Sequence, residues 1–414
     1  MSYPPSIGLV LSGGGARGAY AVGVMQGITD ALSGPSEGRA PFDVFCGTSV
    51  GAICTTWLAA HADEPDMNID GLVDIWGALD IREHLRLDPV GFLSGTPMAE
   101  IFTKLRGREA LRLGRSLLDP RALERLVEHE LPYERLHANV ARGIVRAVIV
   151  PALEVATGRT SLFAELADGT EYSSSRDPRR VTRRGPIEAA HVLASAAIPA
   201  LFPARRIGAN YYCDGGLRFN TPISPALRAG VDKLVVVSLL HEGMTKRYTE
   251  EPSHDYEQAY PSGVFLLGKL LNALLLDPVQ YDLQVLARLN RMLETLEATL
   301  DSDEMRRVHA VFEETRELPY RQIETLVFRP SLDIGALALE HARRLRVRNI
   351  SSGVLSWLSR LGDRSESDFL SFVMFDGEFA RKLAELGRAD ARSRAAEIVS
   401  FFERAPELQR ALGE

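Results

Sequence analysis

IGLVLSGGGARGAY, residues 7–20, sets an apolar run directly against a cluster of glycines and then a helical pattern. The unbroken apolar character of residues 7–11 predicts a buried first strand. The glycines predict a tight turn, and the spacing over 19–32 predicts a helix. Without Cβ atoms at Gly13, Gly14, Gly15 and Gly18, the turn can adopt left-handed angles and let a ligand approach the main chain. The helix start adds partial positive charge, so the outward backbone N–H groups suit an anion.

The same texture recurs along the chain in DVFCG at 43–47, IVRAVIV at 144–150 and KLVVVSL at 233–239, separated by longer helical patterns. Runs that are apolar throughout, rather than alternating, fit central strands covered by helices on both faces. The expected fold is therefore α/β, three layers deep, with a mostly parallel central sheet. Beyond residue 240 the texture changes to a polar stretch, His241 to Ser262, followed by long helical patterns. We expect a boundary there, with a catalytic-type α/β unit over 1–240 and a mainly helical region over 241–414. In that region Val279, Leu283, Leu286, Leu289, Leu293, Leu296 and Leu300 form one apolar helical stripe. A strand-like run, Thr325–Phe328, precedes helices expected at 334–346 and 377–402.

Composition narrows the function classes. With 48 basic and 55 acidic residues the formal charge is −7, the wrong sign for gripping nucleic acid. The longest apolar stretch, Gly263–Leu276, is interrupted by Lys269 and Asn272 and is shorter than the roughly 20 residues of a membrane-spanning helix. No transmembrane segment is expected. Residues 264–276 and the striped helix after them suit either a lid or lipid-facing surface, or ordinary core packing. The first residues lack a basic leader and a small-residue cleavage site, and the three cysteines, Cys46, Cys54 and Cys213, form no CxxC pair. The expectation is a reducing, cytoplasmic setting, with peripheral membrane association or leaderless export left open and no metal site. Asn349-Ile350-Ser351 fits a glycosylation acceptor but carries no meaning without a secretory context.

Gly13-x-Gly15-x-x-Gly18 also satisfies the dinucleotide fingerprint. That fingerprint needs an acidic residue about 20 positions on, at the end of the second strand. Glu37 lies in a Gly/Pro/Ser loop and Asp43 begins its strand, so neither serves. A P-loop fits less well, because Arg17-Gly18-Ala19-Tyr20 lacks the Gly-Lys-Ser/Thr ending.

Phe42 to Gly51 reads as a strand followed by Gly47-Thr48-Ser49-Val50-Gly51 and a helix-like run, Ala52–Ala60. This is the strand–turn–helix setting in which G-x-S-x-G exposes a strained serine beside a helix's positive end. Such a serine needs a base. The nine histidines offer little: His61 and His84 lie in polar regions, His129 and His137 flank loops, and His191 sits in a helical pattern. His241, after the strand ending near Leu239, is the best placed of them. Tyr211-Tyr212-Cys213-Asp214-Gly215-Gly216 instead holds a carboxylate on a turn beside apolar chain. Desolvation there would raise its basicity above that of a free carboxylate. Each motif has a plain alternative: an empty tight turn, a chance GxSxG, an ordinary Asp-Gly-Gly β-turn.

Taken in order, the glycine loop, the GxSxG and the Asp-Gly-Gly resemble the patatin-like phospholipase family, as does Ala194 to Pro203, the serine, proline and aromatic block before the aspartate. The resemblance spans roughly residues 6–239. It implies a Rossmann-like α/β/α domain without metal or nucleotide cofactor, hydrolysing acyl esters of phospholipids or related lipids. It also implies roles: Ser49 and Asp214 as catalytic dyad; Gly13, Gly14, Gly15, Ala16, Arg17 and Gly18 as the oxyanion-hole loop; Gly47 and Gly51 as the nucleophile elbow; Gly215 and Gly216 as the turn of the base. The implied partner is a lipid substrate at a membrane surface; no protein partner is identified. Two other classes compete, a dinucleotide-dependent oxidoreductase and an idle or gated scaffold that binds protein through its helical C-terminal region.

Overall fold

Successive residues of a strand point to opposite faces, and in the central strands of this protein both faces are dry. Leu9, Leu11, Phe45, Val148, Val150, Val235 and Val237 enter one core cluster, while Val10, Cys46, Ile149, Leu234 and Val236 enter the other. This two-sided burial is why the sequence shows unbroken apolar runs there. The computed structural model describes residues 5–32, 40–84, 119–199, 201–241, 243, 263–275, 277–316, 321–347 and 367–403.

The strands are β1 (Ile7–Leu11), β2 (Val44–Gly47), β3 (Ala147–Glu154), β4 (Thr160–Leu166), β5 (Arg180–Arg184), β6 (Arg205–Ile207), β7 (Asn210–Asp214), β8 (Lys233–Val237) and β9 (Glu324–Phe328). Among the described residues they form one nine-stranded sheet in the order β5-β4-β3-β2-β1-β8-β9, with β7 paired to β3 and β6 to β7. The β1–β2, β1–β8, β2–β3, β8–β9 and β4–β5 pairs are parallel, as the α/β expectation requires, whereas β4 and β7 run antiparallel to β3.

Helices α1 (Ala19–Ala31), α2 (Val50–Ala60), α3 (Ile69–Gly77) and α4 (Ala189–Ser195) cover one face. The other is covered by a short helix, Ile223–Arg228, and by α6 (Asp277–Thr299), which follows α5 (Gly263–Leu275). The stripe read along α6 faces inward, with Leu286 and Leu293 buried and Leu283, Leu289, Leu296 and Leu300 half-buried. The apolar stretch forming α5 divides: Leu271 and Asn272 are buried, Leu266 and Leu270 exposed.

The C-terminal half continues through α7 (Ser302–Arg316), α8 (Ile334–Val347), α9 (Ser367–Val373), α10 (Gly377–Arg392) and α11 (Ala395–Glu403). The expected single helix over 377–402 is thus two, α10 ending at its cap Ser393. Thr325–Phe328 belongs to β9, which lies parallel to β8 with Lys233 opposite Glu324 and Val237 opposite Phe328. The polar residues 244–262, where the change of texture begins, and Asn349 lie outside the described residues.

Helix α10 packs on α1 at backbone distance, since a Cβ at Gly387 would fall 2.1 Å from the Tyr20 carbonyl oxygen and one at Gly23 1.9 Å from that of Ala384. Only hydrogen fits between the helices at these points. Gly387→Ala is therefore expected to lower stability by about 1–3 kcal/mol through overpacking, measured by denaturant unfolding against the parent; an unchanged midpoint would contradict this packing.

Candidate active site

β1 and β2 pair in parallel with Leu11 opposite Gly47, so the glycine loop and the serine turn leave the sheet side by side at its carboxyl edge. Thr48 N–H donates to Leu11 O (3.3 Å) and Ser12 N–H to Val237 O (3.2 Å), fixing both departures. Ser49 then adopts φ 55°, ψ −126°, a left-handed conformation that a side-chain-bearing residue holds only when its surroundings enforce it. The enforcement is visible. Ser49 N–H donates to Ser195 Oγ (2.9 Å), and a Cβ at Gly51 would lie 2.3 Å from Leu11 O, one at Gly47 2.1 Å from Gly51 O. The elbow therefore closes only with both flanking glycines. Ser49 sits at the N-terminal end of α2, whose dipole favours developing negative charge, and is only 2% exposed.

Asp214 ends β7, opposite Ala152 of β3, and is fully buried. Its Oδ1 accepts the Gly216 N–H at 2.7 Å, while Gly215 lies tight against β3, with room for no Cβ beside Pro151 O. Oδ2 has no hydrogen-bond partner among the described residues. The Ser49 hydroxyl is near enough to favour the carboxylate yet lies outside hydrogen-bonding geometry, so it does not satisfy that oxygen. Burial dominates and pushes the Asp214 carboxyl up to about 7, against the smaller opposing effects of Ser49 and the Gly216 N–H.

The glycine loop meets the serine at Gly13, where a Cβ would stand 2.9 Å from Ser49 Cβ. Asn220 holds Gly13 at both ends, accepting its N–H at Oδ1 (3.0 Å) and donating from Nδ2 to its carbonyl (3.2 Å). The Gly13 N–H is thus occupied, and the Arg17 N–H is used by Gly14 O (3.3 Å). Those of Gly14 and Gly15 have no protein acceptor among the described residues. Gly15 is at φ +57° and abuts Phe372 O of α9, while Ala16, Arg17 and Gly18 complete a short 3₁₀ turn leading into α1.

Arg17 points away from the serine and is 4% exposed. Its Nε donates to Ser371 Oγ (2.7 Å), a terminal nitrogen reaches Asn272 Oδ1 and Asp368 O (3.4 Å each), and the guanidinium stacks on Phe372 at 4.3 Å. Burial lowers its pKa to about 10, opposed by Asp368 and Asp333, so it stays charged at neutral pH. Ser195, Asn220, Ser371 and Asn272 escaped the sequence reading of roles. The one available signal was Ser195, in the quoted block at 194–203; the others are single polar residues in apolar or helical context.

An apolar pocket opens beside the elbow, lined by Val50 and Ile53 of α2, Leu72 and Trp76 of α3, Phe202 and Phe375. Four of the histidines are engaged elsewhere: His241 with Pro330 O, His191 with Glu188 N–H, His137 with Glu165 and His61 with Trp57 O. None of them bonds Ser49 or Asp214 among the described residues. The Asp43 carboxylate accepts the Ile7 N–H at the opposite, amino edge of the sheet, away from the glycine loop. Among the described residues no cluster of His, Cys, Asp and Glu could hold a metal, and no helix is long and apolar enough to cross a membrane.

The profile of the family described as patatin-like phospholipase matches residues 9–227, more than half of the chain. The chain belongs to the patatin-like phospholipase family. A cGAMP-activated phospholipase of Pseudomonas aeruginosa (strain BWHPSA011 / Pa011) is 27% identical over 219 residues, 52% of this chain and 53% of that protein. The chain thus spans about half the length of this curated relative. The crystal structure of VipD from Legionella pneumophila aligns with 93% of this chain and 67% of its own, at 14% identity and a TM-score of 0.32.

In this patatin-like protein the raised carboxyl of Asp214 has a thermodynamic consequence. Its folded pKa, about 7, lies above the ordinary carboxyl value of 3.8, so between those values the unfolded chain binds fewer protons and stability falls as pH rises, at ~1.4 kcal/mol per pH unit in the limit. Below that window both states are protonated, and above it both are ionised. Asp214→Asn is expected to match the parent near pH 4 and to exceed it increasingly toward pH 7. Parallel pH-stability curves for the two proteins would refute the assignment of a strained carboxylate.

Proposed function

We propose that this protein is a serine lipid acyl hydrolase in which Ser49 attacks the ester carbonyl and Asp214 takes its proton. The observation that carries the reading is the meeting of a strained, buried serine with a buried aspartate whose carboxyl is raised to about 7. A carboxylate of ordinary acidity is too weak a base for a hydroxyl; one desolvated to near-neutral pKa is much better matched. The proton moves from Ser49 Oγ to Asp214 Oδ2, the oxygen left without a partner. The N–H groups of Gly14 and Gly15 are the loop's available donors for the tetrahedral oxyanion, and losing one such donor typically costs about 2.7–4 kcal/mol of transition-state stabilisation. Asp214 then returns the proton to the leaving alcohol, and water releases the fatty acid from Ser49 by the same route reversed.

The apolar cavity beginning at Val50 suits the acyl chain, and the substrate class would be phospholipids or related acyl esters drawn from a membrane surface by a cytoplasmic, peripherally associating enzyme. In this reading residues 241–414 form a helical extension that supports the catalytic unit. One observation favours a gated version: Ser49 and Asp214 are 2% and 0% exposed, so a substrate needs a local opening to reach them. The Pseudomonas relative is, by name, activated by cGAMP, and an activator of this or another kind is compatible with a closed site.

Incubation with a fluorogenic acyl ester and mixed phospholipid vesicles tests the dyad. Ser49→Ala and Asp214→Asn, each checked to be folded, are expected to lower fatty-acid release by about 10³-fold or more; full activity in either removes that residue from the mechanism. A second outcome concerns pH. Because only ionised Asp214 accepts a proton, kcat/KM in the parent should fall as pH drops below an apparent pKa near 7. A profile flat from pH 5 to pH 8 would exclude Asp214 as the titrating base.

A further inference from the structure

Past Asp214 and its partner Ala152, β3 and β7 run on to an exposed tip at the same edge of the sheet as Ser49. Val155 donates its N–H to Tyr211 O (2.8 Å), and Tyr211 pairs across β6 with Arg206. Directly opposed residues on neighbouring strands share a face, so Arg206, Tyr211 and Val155 form one row. It is open to solvent, with Val155 53% and Tyr211 54% exposed and Arg206 exposed beside them. The turn joining β3 to β4 carries exposed Arg159. The guanidinium of exposed Arg218 lies 3.7 Å from where a side chain on Gly158 would begin. Arg159, Arg206 and Arg218 form no ion pair among the described residues, in contrast to Arg179, Arg183 and Arg205 nearby, which bond Asp177, Glu154 and Glu124.

An aromatic and an aliphatic side chain near guanidiniums that hold no carboxylate, Arg206 donating only from Nε to Gly208 O (3.1 Å), is a combination with a particular complement. The chain as a whole carries −7 and is repelled by an anionic surface, so attraction depends on a local cationic patch, and guanidiniums bind phosphate esters through paired N–H donors. Tyrosine favours the headgroup level of a bilayer, where its ring is buried and its hydroxyl stays wet. We propose that the Val155–Tyr211–Arg206 row, with Arg159 and Arg218, is a docking surface for anionic phospholipid bilayers. It presents the carboxyl edge of the sheet, and with it Ser49 and Asp214, toward the lipid. The surface is argued from exposure and charge; its link to catalysis rests on the hydrolase reading above.

Co-sedimentation of the full chain with vesicles of phosphatidylcholine alone, and of phosphatidylcholine and phosphatidylglycerol in equal parts, tests the surface. The parent is expected to bind the anionic vesicles, to release them as salt rises, and to bind neutral vesicles weakly. Arg159→Glu/Arg206→Glu should weaken anionic binding at least about tenfold, Tyr211→Ala should weaken it less, and Arg206→Lys should retain it. Turnover of a water-soluble ester should be unchanged in the double variant, which reports an intact fold and site. Anionic binding equal in parent and double variant, or absent in the parent, overturns the proposal. If the parent binds as expected but hydrolyses no ester, the hydrolase reading fails while the docking surface stands.

Discussion

The parallel pairing of β1 with β2 is the constraint from which the site follows. With Leu11 opposite Gly47, the two strands end level, and the loops that leave them are forced into contact. A shift of one residue would exchange the faces of every side chain in a strand, moving Phe45 out of its cluster and Cys46 into it, so two-sided burial holds the register. β3 extends the same logic. It pairs with β2 on one side and, through Ala152, aligns Asp214 on the antiparallel β7. Serine and aspartate are thus set by ladders that share one strand, and neither depends on a long flexible loop.

The glycine loop is supported from elsewhere. Burying a guanidinium costs several kcal/mol unless its N–H groups are engaged, and those of Arg17 are engaged by Ser371, Asn272 and Asp368. A second contact from the same part of the chain is Gly15 against the backbone of Phe372. Both come from beyond residue 241, as do β9 in the sheet and α10 against α1. The helical region therefore packs into the structural support of the loop, whatever further role it has.

Much of the fold was legible in the sequence because its central strands are largely apolar runs and two of them, β1 and β2, lead into glycines. β4 and β5 were missed for opposite reasons. Thr160–Leu166 lies beside a hairpin without an Asn-Gly turn, and Arg180–Arg184 is an arginine-rich edge strand whose side chains reach solvent or pair with carboxylates. The meeting of Ser49, Asp214 and Gly13 was anticipated through motif order and family resemblance; spacing alone does not carry it, since β-turns and tight glycine loops are common. Asn220 was beyond reach. A buried amide that holds a backbone unit 207 residues away leaves no periodic or compositional trace, and the occupation of the Gly13 N–H is a property of the folded chain alone.

The direction of protein synthesis gives the Arg17 contacts another meaning. A chain that has emerged as far as residue 240 already carries the serine turn and the aspartate turn, yet lacks Asn272, Asp368, Ser371 and Phe372, against which the glycine loop is seated. The last of these is translated more than a hundred residues later. Until then Arg17 has no dry site to enter and remains hydrated, with the loop unsupported on that side. Seating of the glycine loop therefore waits on a residue 354 positions further along the chain than Arg17.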